Sequence, residues 1–148
     1  MKLPPTKPTP EQLKRAAYAV NDARFRILTT WERVTDQADM LRNGKLTRAY
    51  QCWHDAEVRQ HQAEQTLEAA KIATPGDAAK LVRAQQRFAI AMKRAQVIET
   101  RGDAIAQTAN QARRASYERA TKIKSAAEAK ADAAYEAATG RLADELHW

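Results

Sequence analysis

Residues 72–80 read Ile-Ala-Thr-Pro-Gly-Asp-Ala-Ala-Lys, and their reading decides the fold. They lie near the middle of a 148-residue chain and are the only strong punctuation between Gly44 and Gly102. Pro75 cannot continue a helix and pushes Thr74 out of the α region. Gly76 offers whatever backbone angle a reversal needs. Asp77, or Thr74 with Asp77 three residues on, can cap a new helix. The stretch therefore predicts a chain reversal at residues 74–77 between two helical arms, 9–73 and 77–140.

Apolar spacing on both sides supports helices. Thr9-Pro10-Glu11-Gln12 has the form of a capping box, with proline at the first helical position. From there Leu13, Val20, Ile27, Val34 and Leu41 recur every seven residues, interleaved with Ala17, Arg24, Trp31 and Ala38. This is a heptad seam. Past Asn43-Gly44 it resumes one residue out of phase through Leu46, Ala49, Trp53, Ala56, Gln60, Ala63, Leu67 and Ala70, which predicts a bend at Gly44. A third seam starts at Leu81 and Ala84. It runs through Phe88, Ala91, Ala95, Ile98, Gly102, Ile105, Ala109 and Ala112, then Ser116, Arg119, Ile123 and Ala126. The expected fold is all-α: a long antiparallel, coiled-coil-like hairpin, each arm on the order of 95 Å at 1.5 Å per residue. The alternative is an elongated three- or four-helix bundle broken at Gly44 and Gly102.

Composition agrees. Of the 148 residues 32 are alanine, whereas Leu, Ile, Val, Met and Phe together number 25, so helix-forming material is abundant and core material thin. Residues 1–8 read as an extended Pro/Lys tail, 9–140 as a single helical domain with Gly140 at its C-cap, and 141–148 as an apolar tip carrying Leu142, Leu146 and Trp148. After Ile123 the seam is nearly all alanine, which predicts a weakly held end or one that grips a partner.

The lone Cys52 excludes an intramolecular disulfide framework. Met1–Pro10 lacks the apolar stretch of a signal peptide, and no run of 18 apolar residues exists, so the expected location is the cytoplasm or a virion assembled there. His54, Glu57, His61 and Glu64 share a helix face, yet no Glu-x-x-His motif accompanies them and no metal or cofactor is expected. No phosphate-binding loop, nucleophile elbow or zinc-protease motif is present. A non-enzymatic protein is expected, with no catalytic residue.

Charge is the informative feature. The net charge is +7, and between Lys80 and Lys124 there are eleven basic residues against three acids. Lys80, Arg87, Arg94 and Arg101 recur every seven residues beside the third seam, with Lys122 three heptads further on. Flanking positions of the first arm hold Lys14, Asn21, Leu28, Lys45, Tyr50, Arg59 and Lys71, with only Glu57 and Glu64 acidic. The stripe is largely unanswered. Lys80, Arg83, Arg87, Arg94, Arg101, Arg113, Arg114, Lys122 and Lys124 are therefore the candidate contacts to a partner or to phosphate. Ile90 and Val97, seven apart and off the seam, form a second apolar stripe which, with Trp148, is the candidate apolar interface.

The expected role is a structural or assembly subunit of a larger complex, contacting other protein subunits as a homo- or hetero-oligomer. The alternative is a nucleic-acid-binding accessory protein without sequence readout; stacking aromatics beside the stripe are lacking. Membrane attachment is disfavoured because no bulky apolar face accompanies the basic residues. In shape and composition the chain is similar to the internal or ejection proteins of phage particles and to the stalk-type hairpins of bacterial secretion ATPase complexes, a likeness that no motif carries.

Overall fold

The computed structural model describes residues 7–146. Two helices account for most of it: α1, Pro10–Ala73, and α2, Ala78–Thr139, packed against each other as an antiparallel hairpin. A single 3-10 turn, η1, follows at Ala143–Glu145, and no strand occurs among the described residues. Pro/Lys-tail residues 1–6 and Trp148 fall outside the described residues.

Local chemistry explains each boundary. The Thr9 amide donates to Gln12 Oε1 at 2.9 Å and the Gln12 amide to Thr9 Oγ1 at 3.2 Å, a complete capping box. α1 stops at Ala73, one residue before Thr74-Pro75. The Asp77 amide donates to the Thr74 carbonyl at 3.3 Å to close the turn, and Asp77 Oδ1 accepts from the Lys80 amide at 3.1 Å to cap α2. The reversal thus sits where expected, but Gly76 does not adopt the left-handed conformation: a turn that follows proline with negative φ throughout suffices. That conformation occurs instead at Gly140, φ +67°, which ends α2 and whose amide donates to the Glu136 carbonyl at 2.8 Å.

Gly44 and Gly102 both lie inside continuous helices, so the broken-bundle alternative is not adopted. They differ in kind. Nothing lies within 4 Å of the place a Cβ would occupy at Gly44, whereas at Gly102 it would stand 2.8 Å from Trp53 Cδ1 and Nε1 and 3.1 Å from the Ala49 carbonyl. Gly102 is the seat on which the Trp53 indole rests.

The chain divides into two units, one made of residues up to Ala38 with those from Arg114 onward, the other Asp39–Arg113. In the second unit the predicted seams hold between Leu46 and Ala109: Ala49, Ala56 and Ala63 face Ala95, Gly102 and Ala109, all buried. Trp53 Nε1 donates to Asp103 Oδ1 at 2.9 Å, and Tyr50 meets the Trp53 ring edge-on, centroids 5.3 Å apart. In the first unit the register departs from strict heptads. Val34 is exposed and Thr35 is buried; likewise Ile123, predicted on the seam, is 69% exposed, and Ala120 and Ala127 with Lys124 take the inward positions. Leu41 of the second unit is also exposed, and Arg42 turns inward in its place. Ala112, Arg119 and Ala126 are exposed too. The reason is helical pitch: at 3.6 residues per turn a helix drifts about 20° per heptad, so an uninterrupted seam eventually steps by four residues twice in succession. Ile27–Trp31–Thr35 is such a step. The phase slip begins before Gly44 and needs no break there.

Both units have a small-residue core. Among the described residues no side chain larger than alanine is completely buried, and most buried positions are alanine. The exception lies in the first unit, where Val20 and Tyr135 pack with Ala143 of η1, flanked by Ala16, Ala17, Ala131 and Leu146. The Ala143 amide donates to Glu136 Oε1 at 3.2 Å, which folds the segment after Gly140 back onto the helices. The alanine-rich end is therefore closed by its own C-terminal segment, with Leu146 packed and Leu142 exposed. Arg24, a seam residue, pairs with Asp132 through Nη2 at 2.7 Å.

Candidate functional site

Helical geometry sorts the polar residues of the Asp39–Arg113 unit into two opposite sides. Taking the buried alanines as the inner line of each helix, Arg48 and Arg59 of α1 and Arg83, Arg87, Arg94 and Arg101 of α2 fall on the same flank of the hairpin. Side-chain positions agree: Arg59, Gln62 and Thr66 of α1 and Arg87 and Arg94 of α2 line one groove of about 390 Å³, floored by Leu67, Phe88 and alanines. Arg101 lines a second groove on this flank with Arg48, Cys52 and Asp55. Among the described residues, none of these six arginines lies within 4.0 Å of a carboxylate. Asp55 lines the second groove beside Arg48 and Arg101.

This face exists because α2 repeats arginine every seven residues beside its seam, which keeps Arg87, Arg94 and Arg101 at one angle over several turns. α1 contributes Arg59 level with them. Guanidinium groups so placed present forks of N–H donors to carboxylates or phosphates at spacings of about 10.5 Å, two helical turns apart. Ile90 and Val97 lie immediately outside the arginines on the same flank, 52% and 69% exposed, so the hairpin does not bury the second apolar stripe.

The other predicted contact residues divide. Lys80 stands 3.9 Å from Asp77 Oδ2 at the start of α2, and Arg83 is exposed. Arg113 turns inward and pairs with Asp39, because the register has stepped from Ala112 to Arg113 at that level. Arg114, Lys122 and Lys124 belong to the other unit. There Arg114 and Lys122 are exposed, whereas Lys124 pairs with Glu128 at 3.1 Å and stands over the Trp31 ring, 5.7 Å from its centroid. Arg113 and Lys124 thus make contacts within the hairpin, and the free basic face is the one centred on Arg87 and Arg94.

Sequence reasoning had Arg59 among mixed flanking residues and missed that it joins Arg87 and Arg94; the signal was its three-residue spacing from Ala56. A further groove, of about 420 Å³ in the first unit, is bordered by Ile27, Trp31 and Ala120 and by Val34 and Ile123, the two residues that the register step turns outward. Among the described residues no three His, Cys, Asp or Glu side chains form a metal-binding group, and no helix is long and apolar enough to cross a membrane. No protein-family model, curated protein or solved structure matches the chain.

Proposed function

We propose that the protein is a non-enzymatic helical assembly subunit of a larger protein complex, contacting its neighbours through the basic face and the adjoining Ile90–Val97 stripe. The observation that carries this reading is the face itself: six arginines without carboxylate partners beside two exposed branched apolar side chains. A core made mostly of alanine supports it, since a thin core leaves larger apolar side chains outside for partners to cover. In shape and composition the chain is similar to internal phage proteins and to secretion-complex stalk hairpins, and a site in the cytoplasm or in a virion belongs to the same proposal.

Nucleic acid is the second reading, favoured by the same arginines through phosphate contacts. Ile90 and Val97 weigh for protein, because exposed aliphatic side chains bring nothing to a phosphate backbone. Size-exclusion chromatography with light scattering and the 260/280 nm absorbance ratio tests the pair. A protein assembly larger than one chain and free of nucleic acid, alone or with a captured partner of defined stoichiometry, is expected. A monomer that elutes with nucleic acid and sheds it in high salt overturns the proposal.

A further inference from the structure

The side of the Asp39–Arg113 unit opposite the arginines carries the reverse charge. Glu57, Glu64 and Glu68 of α1 and Glu99 and Asp103 of α2 fall on that flank, and the Trp53–Asp103 hydrogen bond fixes Asp103 there. Among the described residues Glu57, Glu64 and Glu99 have no ion-pair partner; Glu68 pairs with Lys71 at 3.1 Å. One flank of a two-helix unit is thus basic and the other acidic.

The two charge ladders also match in spacing and height. Glu57 and Glu64 are seven residues apart, as are Arg87, Arg94 and Arg101, so both ladders have rungs about 10.5 Å apart. Trp53 rests on Gly102 across the hairpin. Counting from there in opposite directions along the antiparallel helices places Glu57 level with Ile98, Glu64 with Ala91 and Glu68 with Arg87. The acidic ladder occupies the same stretch of the unit as the basic ladder behind it.

We infer that the occupant of the basic face is a second copy of this chain, docked by its acidic flank, so that copies stack front to back. This inference rests on the assembly reading above and names the partner. A two-fold symmetric contact through the basic face would set arginine ladders against each other and is repulsive; the front-to-back contact sets each arginine ladder against a glutamate ladder of the same pitch. Such a contact is heterologous and leaves one free face at each end, so it extends or closes into a ring rather than stopping at two. Ile90 and Val97 lie at the edge of the contact and are covered by it. Because the pairs are solvent-accessible, the association weakens as salt shortens the screening length from about 14 Å at 0.05 M toward about 4 Å at 0.5 M.

Two charge-reversal variants test this, both altering exposed positions: Arg87→Glu with Arg94→Glu, and Glu57→Lys with Glu64→Lys. Wild type in low salt is expected to show a mass that grows with concentration beyond twice the 16.6 kDa of one chain. Each variant alone loses that growth while keeping wild-type helicity by circular dichroism. Mixed in equal amounts, they recover the growth as an alternating assembly of 1:1 composition, since the first variant is acidic on both flanks and the second basic on both, so only unlike chains attract. Restored pairing in the mixture is the decisive result, because misfolded variants could not give it. Wild type that stays monomeric without nucleic acid overturns the second-copy inference but leaves a different protein partner for the same face. Self-association that survives both reversals overturns it as well. Nucleic-acid binding abolished by the arginine reversal and strengthened by the glutamate reversal overturns this inference and the assembly reading together.

Discussion

Alanine placed at Gly102 and at Gly44 should act in opposite directions, although both glycines lie in helix interiors. Replacing an interior helical glycine with alanine gains about 0.8–1 kcal/mol from backbone propensity alone. At Gly44, where nothing lies within 4 Å of the new methyl, that gain should appear undiminished. At Gly102 the methyl would meet the Trp53 ring at 2.8 Å and the Ala49 carbonyl at 3.1 Å. Contacts that close force the indole off its seat, an overpacking cost of about 1–3 kcal/mol. The indole also risks its bond to Asp103, a further loss of about 1 kcal/mol. The net expectation for Gly102→Ala is destabilisation by about 1–3 kcal/mol.

Urea unfolding followed by circular dichroism at 222 nm and by tryptophan fluorescence measures both variants. A double-mutant cycle isolates the cause. With Trp53→Ala as background the ring is gone and only the Ala49 carbonyl stays close, so Gly102→Ala should then be neutral or stabilise by up to about 1 kcal/mol, giving a coupling of about 1 kcal/mol or more between the two positions. Equal stabilisation by alanine at both glycines in the wild-type background would refute the packing of Trp53 on Gly102. It would equally undo the alignment of the helices from which the levels of the charged ladders were counted.

Two further changes probe the C-terminal closure. Tyr135→Ala removes the largest side chain of the Val20–Ala143 cluster and should cost about 2–4 kcal/mol, toward the low end for deleting a buried aromatic because most of its neighbours are alanine; thermal unfolding reads it. Gly140→Ala forces a side chain into a left-handed conformation and should cost about 1–2 kcal/mol, with amide exchange rising first in residues 141–146.

Much of the fold was legible because its determinants are local. The Thr9–Gln12 box, the Pro75–Asp77 reversal and the Gly140 cap each depend on a few adjacent residues whose conformational preferences are strong. Register is harder. Heptad counting placed Val34, Leu41 and Ile123 inward, but the small deviation of the α-helix from a 3.5-residue period accumulates, and a seam without a glycine or proline gives no sign of where it steps. The role of Gly102 was unreadable for a different reason. A glycine inside a helical pattern marks either a break or a close approach, and only the position of the facing Trp53 decides between them. Tyr135 was overlooked because it stands alone among alanines, and its partners are Val20, on the other helix, and Ala143, reached only by the turn after Gly140.

The charged faces show what pooling conceals. Counted together, the flanks of α1 hold arginine, lysine, glutamate, tyrosine and asparagine, a mixture in which two glutamates carry little weight. Each helix, however, has two flanks, and an antiparallel pair joins like-handed flanks on one side. Sorting by side sends Arg48 and Arg59 to the flank of Arg87 and Arg94, and Glu57, Glu64 and Glu68 to the flank of Glu99 and Asp103. Neither helix neutralises the other, because acids and bases never share a side in numbers. A soluble helix with no assembly to direct gains from interleaving its charges at i, i+4, as Lys124 and Glu128 do. The Asp39–Arg113 unit instead separates them. Separation of this kind disfavours the contact of like faces and favours that of unlike ones, and so it encodes direction as well as attraction.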